Sequence, residues 1–133
     1  MLFRIYLRVV GPEGAIRSFH SDASMPQSSV GALRREAVWP PTGSGEPSWQ
    51  WQTKFAEAQP ATVEGTITEC LNASTALAPL IKKYRTSLAL ASLVIVAECA
   101  DGEVPGGLYF SSKAISAIHE LGVDIDMDFV RTG

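Results

Sequence analysis

The chain has 133 residues, a hydrophobic content of 46% and a formal net charge of −3, with a pI near 5.3. Its length is that of one domain with a real core, since domains most often run to about 100–150 residues. The acidic balance argues against general nucleic-acid binding, which normally carries a basic excess to neutralise phosphates, and leaves room for a basic protein partner.

In the first segment, MLFRIYLRVV, Phe3, Ile5, Leu7 and Val9 alternate with Arg4, Tyr6 and Arg8. This is the period of a half-buried strand with one core face and one basic, amphipathic face, stopped by Gly11-Pro12. Arginines inside the apolar run, with no small-residue cleavage site after it, are wrong for a secretory signal. Ile16, Phe19 and Ala23 then suggest a short helix, and VGALRREAVW suggests a strand over 30–39 ended by Pro40-Pro41. PPTGSGEP reads as a loop, and SWQWQTKF after it as a second strand in which Trp49, Trp51 and Thr53 alternate with Gln50 and Gln52. Together they predict a hairpin with an exposed tip.

From Pro60 to Tyr84 the period becomes helical. One stripe is Val63, Ile67, Cys70 and Leu71; the other is Leu77, Leu80, Ile81 and Tyr84, with Asn72–Thr75 and Pro79 between and within them. Proline is tolerated in the first turn of a helix, so two helices are expected rather than one. Leu88 to Cys99 is apolar on both faces and reads as a central strand covered on both sides, ended by the turn DGEVPGG. Its most apolar stretch, ten residues at 88–97, is half of the roughly 20 that a membrane-crossing helix needs. Ser111 or Ser112 caps a helix predicted to bury Ile115, Ile118 and Leu121, with Gly122 closing it.

The last segment, VDIDMDFV, places Asp124, Asp126 and Asp128 at every second position. A period of two sends them to one face of a strand and Val123, Ile125, Met127 and Phe129 to the other, which is expected to be core. The element order β-α-β-β-α-β-α-β predicts an α+β fold with one domain over 1–133. Its first six elements match the ferredoxin-like split βαβ pattern, β-α-β-β-α-β, and a C-terminal α-β is added, giving a mainly antiparallel five-stranded sheet. A crossover connection would lay the fifth strand parallel to the fourth and beside it.

Gly45, Glu46 and Trp49, then the run from Leu108 to Asp126 with its Leu121-Gly122 and Asp124-Ile125-Asp126 pieces, resemble a bacterial family known as domain of unknown function 4279. Phe129 stands close to where that family often has an aromatic residue. The resemblance implies a small bacterial cytosolic α+β domain with no assigned catalytic residues. Small acidic domains of this kind also look similar to immunity proteins, which block a toxin by binding it.

The candidate chemistry is sparse. Three carboxylates on one strand face lie about 6.5–7 Å apart, which suits one or two ligands to a cation better than three, and no DxDxDG loop is present. A charged edge strand protected from pairing explains the spacing more simply. Opposition to Arg4 and Arg8 would require the acidic strand to pair with the first one. His20 and His119 have acidic neighbours in sequence that point elsewhere on a helix. Cys70 and Cys99 form no CxxC or Cys/His cluster and read as reduced, buried or half-buried thiols. Thr42–Gly45 has the glycines of an anion nest but no GK[ST] after it.

No cofactor, metal or catalytic set is therefore expected. The expected activity is that of a cytoplasmic, non-catalytic protein-binding domain, of immunity type, facing a basic partner such as a toxin through Asp124, Asp126, Asp128, Glu46, Trp49 and Trp51. A homodimeric small-ligand sensor is the alternative, and a small hydrolase using Asp126 with His20 or His119 the weakest reading. Neither nucleic acid nor membrane is an expected partner, and the chain is expected to be a monomer or a homodimer.

Overall fold

Strand β1 (Leu2–Gly11) organises the molecule, and the alternation in its sequence is the reason. Phe3, Ile5, Leu7 and Val9 are buried on one face, while Arg4, Tyr6 and Arg8 lie half-buried on the other. The computed structural model describes residues 1–33, 48–103 and 107–132. Within these, helix α1 (Glu13–Ala23) leads to β2 (Ser29–Ala32), and β3 (Trp49–Gln52) and β4 (Ala56–Ala58) precede helices α2 (Val63–Ala73) and α3 (Ala78–Tyr84). Strand β5 (Leu90–Ala100), helix α4 (Ser112–Leu121) and strand β6 (Asp124–Thr132) complete the order.

The strands form one mixed sheet in the order β2-β3-β1-β5-β6, with β4 also paired to β1. β2 with β3, β1 with β3, β1 with β4 and β1 with β5 are antiparallel, and β5 with β6 is parallel, as expected for the last strand. The sheet therefore has six strands rather than five. The additional one arises because the segment after Trp51 breaks: β3 pairs with Arg8–Gly11 and β4 with Phe3–Ile5, along the same edge of β1. At the break Thr53 donates its backbone N–H to the Leu7 carbonyl, and its Oγ1 accepts the Leu7 N–H, each at 3.0 Å. A side chain thus carries the ladder past the interruption, as at a bulge. The expected 30–39 strand is seen as Ser29–Ala32, paired antiparallel with Trp49–Gln52; the loop of this hairpin lies outside the described residues.

All four helices send their buried residues into the cluster that contains Phe3, Ile5, Leu7 and Val9: Ile16 and Phe19 from α1, Val63, Ile67 and Leu71 from α2, Ile81 from α3, and Ala114, Ile118 and Leu121 from α4. Pro79 sits in the first turn of α3, where its missing N–H costs nothing. Ser111 caps α4 by accepting the Ala114 N–H at 3.1 Å. Gly122 ends the helix in the left-handed region at φ 79°, where a Cβ would also collide with Nη2 of Arg85.

Three sequence expectations about burial change. α4 buries Ala114 rather than Ile115, which is 55% exposed, because the helix packs its 114/118/121 stripe against α2 and α3. Of the four residues expected to be core, Val123, just before β6, is buried and Met127 is half-buried, while Ile125 and Phe129 are 45% and 56% exposed. β5, expected to be covered on both sides, has helices on one face alone among the described residues. Val94 and Ser92 on its other face are buried by neighbouring side chains of the sheet.

Candidate partner-binding face

The uncovered face of the sheet is built from the polar members of the alternating strands. Across β1, β5 and β6 the register sets Arg8, Ser92 and Asp124 in one row, Tyr6, Val94 and Asp126 in the next, and Arg4, Val96 and Asp128 in the third. Gln52 and Glu57 flank Arg8 and Arg4 on the other side, and Gln50 donates its side-chain amide to Gln52. These three strands and β4 place two arginines against the carboxylates of Glu57, Glu98, Asp124, Asp126 and Asp128, a formal charge of −3.

Both arginines are already committed. Arg4 Nη1 lies 2.8 Å from Glu98 Oε1, and Arg8 Nη2 lies 2.8 Å from Asp126 Oδ2. The second pair forms although β5 lies between β1 and β6, contrary to the expectation that it requires adjacent strands. The long stem of an arginine lets its guanidinium reach past an intervening strand that carries the short side chains of Ser92 and Val94 there. The Nε atoms of Arg4 and Arg8 are buried with no hydrogen-bond partner. Partial burial raises the Tyr6 hydroxyl above its ordinary pKa; Arg8 opposes the rise, and Asp126 and Asp128 add to it. Asp124 and Asp128 are exposed, with no ion pair or hydrogen bond among the described residues.

The tryptophans are elsewhere. Trp51 is fully buried, opposite Val9, and packs edge-on to Phe19 with ring centroids 5.0 Å apart. It is a core residue and offers no surface to a partner, a correction to its expected role. Trp49 is half-buried beneath the Arg17 guanidinium, 4.6 Å from the ring centroid. Both lie on the helix side, toward the β2 edge, whereas the aspartates lie on the open face at the β6 edge. The structure thus does not unite the expected acidic and aromatic halves of the site, and Glu46 lies outside the described residues, as do Trp39 and the Thr42–Gly45 nest.

The sequence places Arg4 and Tyr6 on the polar face of the first strand, but Gln52 and Glu98 join that face only through strand order. Their signal was the two-residue period itself, read along each strand without knowing which strands would be neighbours.

A cleft of about 290 Å³ opens beside the break in the β3–β4 segment, lined among others by Ile5, Met25, Thr53, Lys54, Glu69 and Cys70. Burial pushes the Cys70 thiol upward in pKa, with Ser74 acting in the opposite sense, so it is poorly suited to attack as a thiolate. Cys99 is buried, and both thiols are free. His20 and His119 are exposed; the Nδ1 of His20 lies 3.4 Å from the Ser28 hydroxyl, and the charge partner of Asp126 is Arg8. Among the described residues no group of three His, Cys, Asp or Glu side chains is placed to hold a metal ion, and no helix is long and apolar enough to cross a membrane.

No family model matches the chain, and no curated protein or solved structure matches it either.

Proposed function

We propose that this chain is a non-catalytic protein-binding domain that presents the open face of its sheet, and above all the β6 edge, to a basic protein partner. One observation carries the reading: the two arginines of that face are engaged in ion pairs, while Asp124 and Asp128 are exposed and unpaired. The attraction still available to a partner is therefore of one sign. Such a field speeds encounter and orients the partner, while contacts made after docking set its residence time.

Within this proposal the domain is bacterial and cytoplasmic, akin to domain of unknown function 4279, and of immunity type, neutralising a basic toxin by occupying its functional surface. The strand order β2-β3-β1-β5 supports a ferredoxin-like ancestry, with the break at Thr53 and the α4–β6 unit as departures from it.

The test is capture of protein partners on the immobilised domain, with Asp124→Lys/Asp128→Lys as the control. Neither residue has a partner to lose, so the variant keeps the fold. A basic protein retained at low salt, bound at least tenfold more weakly by the variant, is the expected result. Recovery of no partner, or equal affinity for the variant, refutes the proposal. The second reading, a small-ligand sensor, is favoured by the cleft at Thr53 and Cys70. A metabolite screen that raises Tm, with the increase abolished by Ala73→Trp in the cleft wall, would establish it instead.

A further inference from the structure

We infer that the outer edge of β6 accepts an added β-strand, supplied by an extended segment of the partner in which Lys or Arg alternates with apolar residues. This rests on the protein-binding reading and specifies the geometry of the partner.

Three observations meet on one strand. β6 is the last strand of the sheet and runs for 9 residues, and apart from its pairing with β5 its backbone makes no hydrogen bond among the described residues. One row of N–H and C=O groups therefore faces outward, and an unpaired row of this kind is a template for another strand. On the helix side Ile125 and Phe129 are exposed and Met127 is half-buried against the core, an apolar row that ends in the exposed Arg131. On the opposite side the same strand carries Asp124 and Asp128 without partners.

A strand laid along this edge has its side chains directly opposite those of β6, about 4.5–5.5 Å away, with the same alternation between faces. It satisfies both faces only if its own residues alternate: cationic toward the aspartates, apolar toward Ile125, Met127 and Phe129. The chemistry of the occupant follows from period and charge together. A patch recognised by charge alone would accept any basic segment, whereas this edge requires basic residues at every second position.

The same geometry argues against a second copy of the chain. Two-fold antiparallel pairing of two β6 strands keeps their acidic faces on one side and therefore centres on a residue, and every centre from Asp124 to Asp128 sets at least one aspartate opposite an aspartate. About Asp126, for example, Asp124 meets Asp128 and Asp126 meets itself. Like charges directly opposite destabilise a strand pair, so the ladder disfavours the homotypic pair in these registers while attracting a basic partner.

The probe is a synthetic nine-residue peptide of alternating Lys and Val, compared with a peptide of the same composition in which the lysines are contiguous. Binding is read by fluorescence anisotropy, and the site by amide hydrogen exchange across 124–132 in the unmodified protein. The alternating peptide is expected to bind at least tenfold more tightly than the block peptide and to slow exchange in β6 at least tenfold at saturation. Asp124→Lys/Asp128→Lys is expected to transfer the preference to an alternating Glu–Val peptide. Equal affinity for the two lysine peptides, or unchanged exchange in β6, overturns strand addition. If the two bind equally and both are lost in the double variant, strand addition fails while the basic-partner reading stands; if neither binds the unmodified protein, both fail.

Discussion

Replacing the three aspartates of β6 by alanine one at a time separates a carboxylate built into the fold from two that are not. Asp126 is 34% exposed and Arg8 is 18% exposed, and their contact is 2.8 Å. At such separations the Coulomb attraction in a partly wet environment is a few kcal/mol before desolvation is subtracted. Removing one partner of an exposed pair costs about 0–1 kcal/mol, and of a fully buried pair about 3–5 kcal/mol, so Asp126→Ala is expected to cost about 1–2 kcal/mol. The loss is sharpened because Arg8 Nε has no other partner. Asp124 and Asp128 are in the opposite position. Each stands about 7 Å from Asp126 along the strand, where like-charge repulsion is about 0.6 kcal/mol in water and less in salt, so their removal shifts stability by no more than about 0.5 kcal/mol. Urea unfolding at pH 7 in low and high salt measures all three, and a cycle with Arg8→Met isolates the pair term. Equal effects of the three substitutions within about 0.3 kcal/mol, or a cost above about 1 kcal/mol for Asp124→Ala or Asp128→Ala, would refute the assignment.

Two further outcomes follow from the side chains on the helix side. Trp51→Ala is expected to cost about 3–5 kcal/mol, as large core truncations do, and Trp49→Ala only about 1 kcal/mol, chiefly its cation–π contact with Arg17; urea unfolding ranks them. Asp22 accepts the Tyr84 hydroxyl at 2.6 Å and the Lys83 ammonium at 3.1 Å, which hold its carboxyl below the usual range. The unfolded state then binds more protons than the folded one, so this stabilisation is full above the ordinary carboxylate pKa and is lost as pH falls through the lowered folded value. Asp22→Asn should flatten the acid limb of stability between pH 5 and 2; an unchanged limb, measured by urea unfolding at stepped pH, contradicts the linkage.

Elements were legible where one local signal decided them. The alternation of β1, the Pro79 start of α3, the Ser111 cap and the Gly122 stop all needed only near neighbours in the sequence. What escaped depended on distant parts. The break at Thr53 is set by Leu7, 46 positions away, and the exposure of Ile125 and Phe129 depends on where α4 packs rather than on the sequence of β6. The Arg8–Asp126 pair required the length of a side chain to be weighed against an intervening strand. Tryptophans and aspartates both carry the composition of contact residues, and only strand order reveals that they lie toward opposite edges and on opposite faces of the sheet.

β1 is flanked by β3 and β4 on one side and by β5 on the other, so the strand of this sheet that is made before its neighbours sits in its middle. Its pairing with β5 joins Leu2 to Glu98, 96 positions apart, and cannot form until the chain between them has been made. Pairings so distant along the chain slow folding, because the entropy of closing the loop is lost before the contacts form. During that interval Phe3, Ile5, Leu7 and Val9 have no β5 residues beside them and Arg4 and Arg8 lack Glu98 and Asp126, which leaves the nascent β1 open to association with other chains.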